Sequence, residues 1–312
     1  MSLLYPPTTV HRYLKLMQYV EESTFGTTPS SAAFVDASVI NSVSTTYENI
    51  TELYRKLGRR TLYKYITMGS ARTWSCSYSP VDTALMRYAS ELGNALGTAT
   101  GTIDKSLTFV NSGYRNTAGS NGPLLEYYVL RKGSKCDSMT VTTSSRGMVT
   151  VDMNWISSTI AIPVSTANGG LTTPTFVASP TTATPWSNLT GGTSKLTIGG
   201  VVYPFKTATF TVNNNLDAVD VDGNPDIQAL EPTTKEVTFS AELIVQKDFA
   251  IETAMEAGTA LTCVLTLNST GPKNATISNL FINRKEENAG SDETKVQTLT
   301  VSGQGDDVTI TA

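Results

Sequence analysis

Hydrophobic and polar positions alternate with a period of two over most of this chain, and the alternation restarts after a break in the middle. The segment "DASVINSVSTTYENITELYRKLGRRTLYKYIT" alternates, gathers its charges around Gly58 and alternates again. That pattern predicts a long hairpin with an exposed, mostly basic tip carrying Arg55, Lys56, Arg59 and Arg60. Strand patterns follow in "SLTFV", "CDSMTVTT" and "MVTVDMNWI", the last two joined by a short turn at Ser145, Arg146 and Gly147. From Val10 to Gly26 the pattern fits a strand (Leu14, Leu16, Val20) or a helix (Leu14, Met17, Tyr19), and the strand reading is preferred.

One helix interrupts these strands. Ser79 reads as its N-cap, Pro80 as the first helical position, Asp82 as the partner in a capping box and Gly93 as the stop, with Val81, Leu85, Tyr88, Ala89 and Leu92 as the apolar stripe. From about Pro163 to Gly192 the chain turns to Thr, Ser, Pro, Ala and Gly with little periodicity beyond a strand-like "TFVA", which predicts a long connection.

The pattern then repeats. "SKLTIGGVVYPFKTATFTV" reads as strands around a Gly-Gly turn, and "NNNLDAVDVDGNPDIQAL" as a hairpin whose tip, around Gly223, is acidic, with Asp217, Asp220, Asp222 and Asp226. "EVTFSAELIV" leads to Asp248 as N-cap of a second helix with Ile251, Ala254 and Met255 inside and Gly258 as its stop. "LTCVLTLN", "ATISNLFIN" and "KVQTLTVSG" match the three strands after the first helix. Gly58 to Asp82 is 24 positions and Gly223 to Asp248 is 25. Element order and spacing therefore predict a mainly β protein of two tandem β-sandwich or barrel units, each flanked by one short α-helix. The expected division is a first unit over 1–162, a connection over 163–192 and a second unit over 193–312. Two unrelated β units with similar turns is the plainer alternative.

Charge adds a contrast between the halves. Of 23 Lys and Arg and 27 Asp and Glu, 15 and 11 lie up to Ile160, leaving 8 and 16 beyond it, so the halves carry +4 and −8 and sum to −4. An acidic chain without an extended basic stripe has no general attraction for nucleic acid. Opposite halves favour head-to-tail contacts between copies over pairing like with like.

Candidate chemistry is sparse. The one histidine, His11, has no Ser, Cys or Asp constellation beside it, and the phosphate-loop, dinucleotide, zinc-protease and nucleophile-elbow motifs are absent. No enzyme and no cofactor is expected. The acidic tip has oxygen ligands around a Gly but lacks the downstream bidentate Glu of an EF-hand, so a solvated turn is the better reading. The basic tip is too short for a nucleic-acid groove. Three scattered cysteines, Cys76, Cys136 and Cys263, read as buried free thiols rather than a disulfide framework. The N-terminal "MSLLYPPTTVHRYLK" has no apolar core of a secretion signal, and no run is long enough to cross a membrane as a helix, so a reducing cytosol is expected.

Taken in order, "ESTFGTTPSSAAF", "KCDSMTVTTSSRGMVTVDM", "KLTIGGVVYPFKTATFTVNNNLDAV" and "KEVTFSAELIV" resemble the tail tube proteins of tailed viruses of bacteria and archaea, over nearly the whole chain. The resemblance implies a structural virion protein whose rings stack into a hollow tail tube that passes viral DNA to the host without binding it specifically. It implies assembly in the host cytoplasm and, as partners, the protein itself and tape-measure, terminator and baseplate-type tail proteins, with no membrane insertion. Members with one unit form hexameric rings, so two units per chain imply a homotrimeric ring with pseudo-sixfold symmetry, the hexamer being the alternative. The oppositely charged tips are the candidate assembly contacts. Competing readings are a tail terminator, a capsid decoration protein or a fibre module, and, from another class, an extracellular carbohydrate-binding or surface-layer domain. Trp74, Trp155 and Trp186 are too scattered to mark a sugar groove.

Overall fold

A computed structural model of the chain describes residues 13–54, 64–91, 105–115, 124–161, 183–187, 196–219, 226–244, 249–268, 273–288 and 298–311. In the first half the elements are β1 (Tyr13–Glu21), β2 (Val35–Asp36), β3 (Val39–Tyr54), β4 (Lys64–Ser79), α1 (Ala84–Ser90), β5 (Leu107–Arg115), β6 (Leu124–Ser144), β7 (Thr150–Ile156) and β8 (Thr159–Ala161). The second half holds β9 (Leu196–Ile198), β10 (Val201–Tyr203), β11 (Phe205–Asn213), β12 (Leu216–Val219), β13 (Ala229–Pro232), β14 (Glu236–Ile244), α2 (Ala250–Ala257), β15 (Leu261–Asn268), β16 (Lys273–Asn288), β17 (Thr298–Gly305) and β18 (Asp307–Thr311). The protein is mainly β, with two short helices and a large antiparallel sheet, as the alternation predicts.

Pairing in the two halves follows one scheme. In the first, β1 pairs with β2 and β5, β5 with β6, β6 with β7 and β8, β7 with β4, and β4 with β3. In the second, β9 pairs with β10 and β15, β15 with β16, β16 with β17 and β18, β17 with β14, and β14 with β11. The irregularities correspond as well. A bulge at Asn41 of β3 matches one at Lys206 of β11, and a bulge at Asp137 of β6 matches one at Asn283 of β16. The left-handed Gly133 (φ 61°) matches the left-handed Asn279 (φ 49°). Asparagine is the residue after glycine most at ease in that conformation, so both sequences satisfy the same backbone demand.

β6 and β16 are long because each serves two layers. Their C-terminal parts join a run of eight antiparallel strands, β3-β4-β7-β6-β11-β14-β17-β16, and their N-terminal parts pair with β5 and β15 in the layers behind it. The halves meet where β11 pairs with β6, from Thr207 opposite Ser144 to Asn213 opposite Ser138. Phe210, Val212, Val141 and Met139 are fully buried at this seam, and a single core cluster runs from Met17 to Ile310 through both halves. Contacts at the helix reinforce the join. Asn214 Nδ2 donates to the carbonyls of Ala89 (3.1 Å) and Cys136 (3.0 Å), and the Lys235 ammonium donates to the Ser90 carbonyl, so the second half satisfies carbonyls at the C-terminal end of α1.

The first helix begins later than its sequence signals suggest. Ser79 is the last residue of β4, paired with Val39, so the ladder claims it before it can cap a helix. Thr83 stands at the N-cap without a side-chain bond, and the Asp82 carboxylate instead accepts from the Ala84 N–H at 2.9 Å. Leu85 and Ala89 are buried as expected, together with Met86. Phe249 occupies the N-cap position of α2, and Gly258 ends that helix in the left-handed conformation (φ 60°). Gly93 and Asp248 lie outside the described residues.

The tract "ESTFG" is anchored by Glu22, which is buried and accepts from the N–H groups of Gly26 (2.9 Å) and Gly133 (3.0 Å) and from the hydroxyls of Ser106 and Thr108. Of the connection, residues 183–187 are described. There Trp186 is buried, with its indole N–H donating to the Val81 carbonyl at 3.0 Å.

Candidate functional site

Alternation gives the eight-stranded run two unlike faces. One side holds Trp74, Cys76, Tyr78, Val151, Met153, Trp155, Phe210, Phe239 and Val301, all buried. The other carries Thr73, Ser75 and Ser77 of β4, Asn154 of β7, Ser138, Thr140 and Thr142 of β6, Thr207, Thr209 and Thr211 of β11, Thr238 and Ser240 of β14, and Thr300, Ser302 and Gln304 of β17, each exposed or half-buried. Every one of these is a hydroxyl or amide residue. Such side chains keep the face wet without fixing a charge on it.

The hydroxyls bond to one another across the strands. Thr140 and Thr211 approach to 3.0 Å across the seam between the halves, Thr142 and Thr209 to 3.4 Å, and Asn154 donates to Ser138 at 2.8 Å. Charges on this face are few, and they include the exposed Arg284, opposite Ser302, which pairs with Glu286, opposite Thr300, at 2.7 Å. Asp152 and Glu236 are exposed, and the Glu242 carboxylate accepts from Lys206 at 2.9 Å, a bond that holds its pKa below the ordinary carboxylate value. The face is therefore polar and slightly negative, and its cations Lys206 and Arg284 are each paired with a carboxylate.

Its two ends are strand edges. Among the described residues β3 pairs with β4 alone, and Arg284–Asn288 of β16 pair with β17 alone. Unpaired N–H and C=O groups along such edges are a template for another strand.

The expected assembly residues are distributed unevenly. Arg55, Lys56, Arg59 and Arg60 of the basic tip, and Asp220 and Asp222 of the acidic one, lie outside the described residues. Asp217 is exposed on β12, opposite Glu231 of β13. Asp226 forms an ion pair within the chain with Arg72 of β4, whose guanidinium also donates to the Ser158 carbonyl. The Ser158 hydroxyl bonds the Ile227 carbonyl, so the base of the β12–β13 hairpin is tied to the first half.

Among the described residues no group of His, Cys, Asp and Glu is arranged to hold a metal, and no helix is long and apolar enough to cross a membrane. The three cysteines are buried, and burial pushes the thiols of Cys76 and Cys263 up to about 12, which leaves them protonated and unreactive at neutral pH. The hydroxyl face was the feature that charge and motif reasoning passed over. Its signal is present in "TVTTS", "TATFTVN" and "EVTFSAEL", where one parity is mostly apolar and the other is polar, chiefly Thr and Ser.

A family model described as phage tail tube protein matches residues 14–306. No curated protein matches the chain.

Proposed function

The chain belongs to the phage tail tube protein family, a structural and non-enzymatic kind of virion tail component, and from that premise we propose that it polymerises as stacked rings into a hollow tube through which viral DNA passes to the host. Three copies form each ring, and each copy supplies two adjacent, equivalent positions of a pseudo-sixfold arrangement. Assembly takes place in the host cytoplasm, and tape-measure, terminator and baseplate-type proteins bound the tube. The repeated pairing scheme, matched down to its bulges, supports reading 1–162 and 193–312 as tandem units.

The observation that carries this reading is the eight-stranded run, with a core face, a hydroxyl face and, at each end, an edge that pairs with no further strand among the described residues. Closed around an axis with the hydroxyl face inward, such runs make a continuous wall without edges. Phosphate contacts with Lys and Arg dominate nonspecific affinity for DNA. A wall of Thr, Ser, Asn and Gln, whose cations Lys206 and Arg284 are each paired with a carboxylate, offers few such contacts along its length, so the duplex slides. The charged tips are the proposed contacts between neighbouring copies or successive rings.

Replacing Thr209 and Thr211 by lysine tests the wall directly, since both are on the face and neither is in the core. Tubes should still form, and DNA passage should slow by about tenfold or more at low salt, recovering as salt screens the new phosphate contacts. DNA passage unchanged at every salt concentration would place these threonines away from the channel.

A further inference from the structure

The junction inside the chain serves as a template for the junction between chains. Residues of β3 and β11 at equal places in the pairing scheme differ by 165: Ile40 and Phe205 precede the bulge, opposite Tyr78 and Leu243, and Ser42 and Thr207 follow it. Residues of β6 and β16 differ by 146: Arg131 and Ile277, Ser134 and Leu280, and the bulged Asp137 and Asn283. Within the chain β11 pairs with β6, whereas their counterparts β3 and the C-terminal part of β16 lie at opposite ends of the run with no partner strand on their outer edges among the described residues.

Resting on the ring reading above, we infer that β3 of one copy pairs antiparallel with Arg284–Asn288 of β16 in the next, in the register of the seam between β11 and β6. Subtracting 165 from each β11 residue and adding 146 to its β6 partner converts Thr209 opposite Thr142 into Ser44 opposite Asn288. The same shift places Thr45 opposite Glu287, Thr46 opposite Glu286, Tyr47 opposite Lys285 and Glu48 opposite Arg284, the last from Asn213 opposite Ser138. This register sets an acidic residue directly across from a basic one. The arithmetic for that register does not use charge, so the match is an independent indication. The next residue agrees as well. Asn49 takes the place of Asn214, the residue that bonds carbonyls at the end of α1 and at the bend of β6, and it is again asparagine.

The two seams differ in composition in a way that suits their tasks. The tethered seam buries Phe210, Val212, Val141 and Met139, whereas the corresponding positions of the seam between copies are Thr45, Tyr47, Glu287 and Lys285. Arg284 is exposed and paired with Glu286 at 2.7 Å, and Lys285 pairs with Glu252 of α2. Consecutive charges along a free edge keep it soluble and discourage unspecific strand pairing before assembly. The partner that fits such an edge is a strand of matching register and complementary charge, which a second copy provides at β3.

Cysteines at Glu48 and Arg284 test the register. The variant carrying both Glu48→Cys and Arg284→Cys, assembled and mildly oxidised, should run on a non-reducing gel as a ladder of disulfide-linked copies that reductant collapses. The pairing of Glu48→Cys with Asn288→Cys, displaced by four residues or roughly 13 Å along the strand, should give none. Tubes that form without a ladder from the first pair, or with a ladder from the second, overturn the register while leaving the tube reading intact. Folded chains that give neither tubes nor a ladder overturn the tube reading and this inference together.

Discussion

Trp155→Ala is expected to lower the unfolding free energy by about 3–5 kcal/mol, a large part of the 5–15 kcal/mol typical of a domain. Trp155 is 1% exposed and stacks on Trp74 at 5.7 Å with only 11° between the planes, while Phe109 meets it edge-on at 4.7 Å. The Arg131 guanidinium lies 4.9 Å from the Trp74 ring centre, and burial lowers its pKa to about 10. Removing one indole therefore opens a cavity between the layers and loosens the ring against which a buried cation is held. The midpoint of guanidinium unfolding followed by far-ultraviolet circular dichroism measures the loss. Trp155→Phe should recover roughly half of it by refilling part of the volume. An alanine variant within about 1 kcal/mol of the parent would show that this cluster is not a structural centre.

Gly303→Ala is expected to destabilise by roughly 1–3 kcal/mol, although it adds a single methyl group. A Cβ there would stand 2.4 Å from the Phe281 carbonyl oxygen and 3.1 Å from the Ile282 Cα, and both are backbone atoms of the paired strand β16. Backbone yields only by moving the ladder, unlike the end of a flexible side chain. The displaced segment leads through the Asn283 bulge to the Arg284–Asn288 edge, so assembly should suffer more than stability. Unfolding midpoints and the yield of sedimentable tubes, measured on the same preparation, separate the two effects. A variant that matches the parent in both would show that the approach of β16 to β17 is less close than described.

These two residues occupy the same place in the two halves. Trp155 lies opposite Cys136, and Gly303 lies opposite Ile282, 148 and 146 positions further on. One half fills the space between its layers with a stacked indole, and the other brings its strands so close that no side chain fits. Their partners on the neighbouring strands follow suit, Trp74 in the first half and Phe239 in the second. This explains why order and spacing were legible in the sequence while residue identity between the halves was not. Packing constrains the sum of volumes across a core, and two units can meet that constraint with different residues.

Strand existence was legible because period-two alternation over segments such as "EVTFSAELI" has one structural meaning. The helix start was not, because Ser79 carries a genuine capping signal but is still paired with Val39 at the end of β4, and tertiary pairing prevails over local preference. The wall was half legible. Alternating Thr and Ser were evident, but which parity faces the core depends on register, and a shift of one residue reverses it. The free edges were invisible for a related reason, since an edge is defined by the strand that is absent beside it. Charge asymmetry between the halves pointed to contacts between copies without saying where, and Asp226 proves to be engaged with Arg72 inside its own chain.

The most direct measurement is cryo-electron microscopy of the assembled protein, with a map calculated without imposed symmetry and viewed down the tube axis. Three copies per ring, with Thr209, Thr211 and their hydroxyl neighbours lining a strand-walled channel, is the expected result. Six copies per ring, or a channel lined by another surface of the chain, would contradict it.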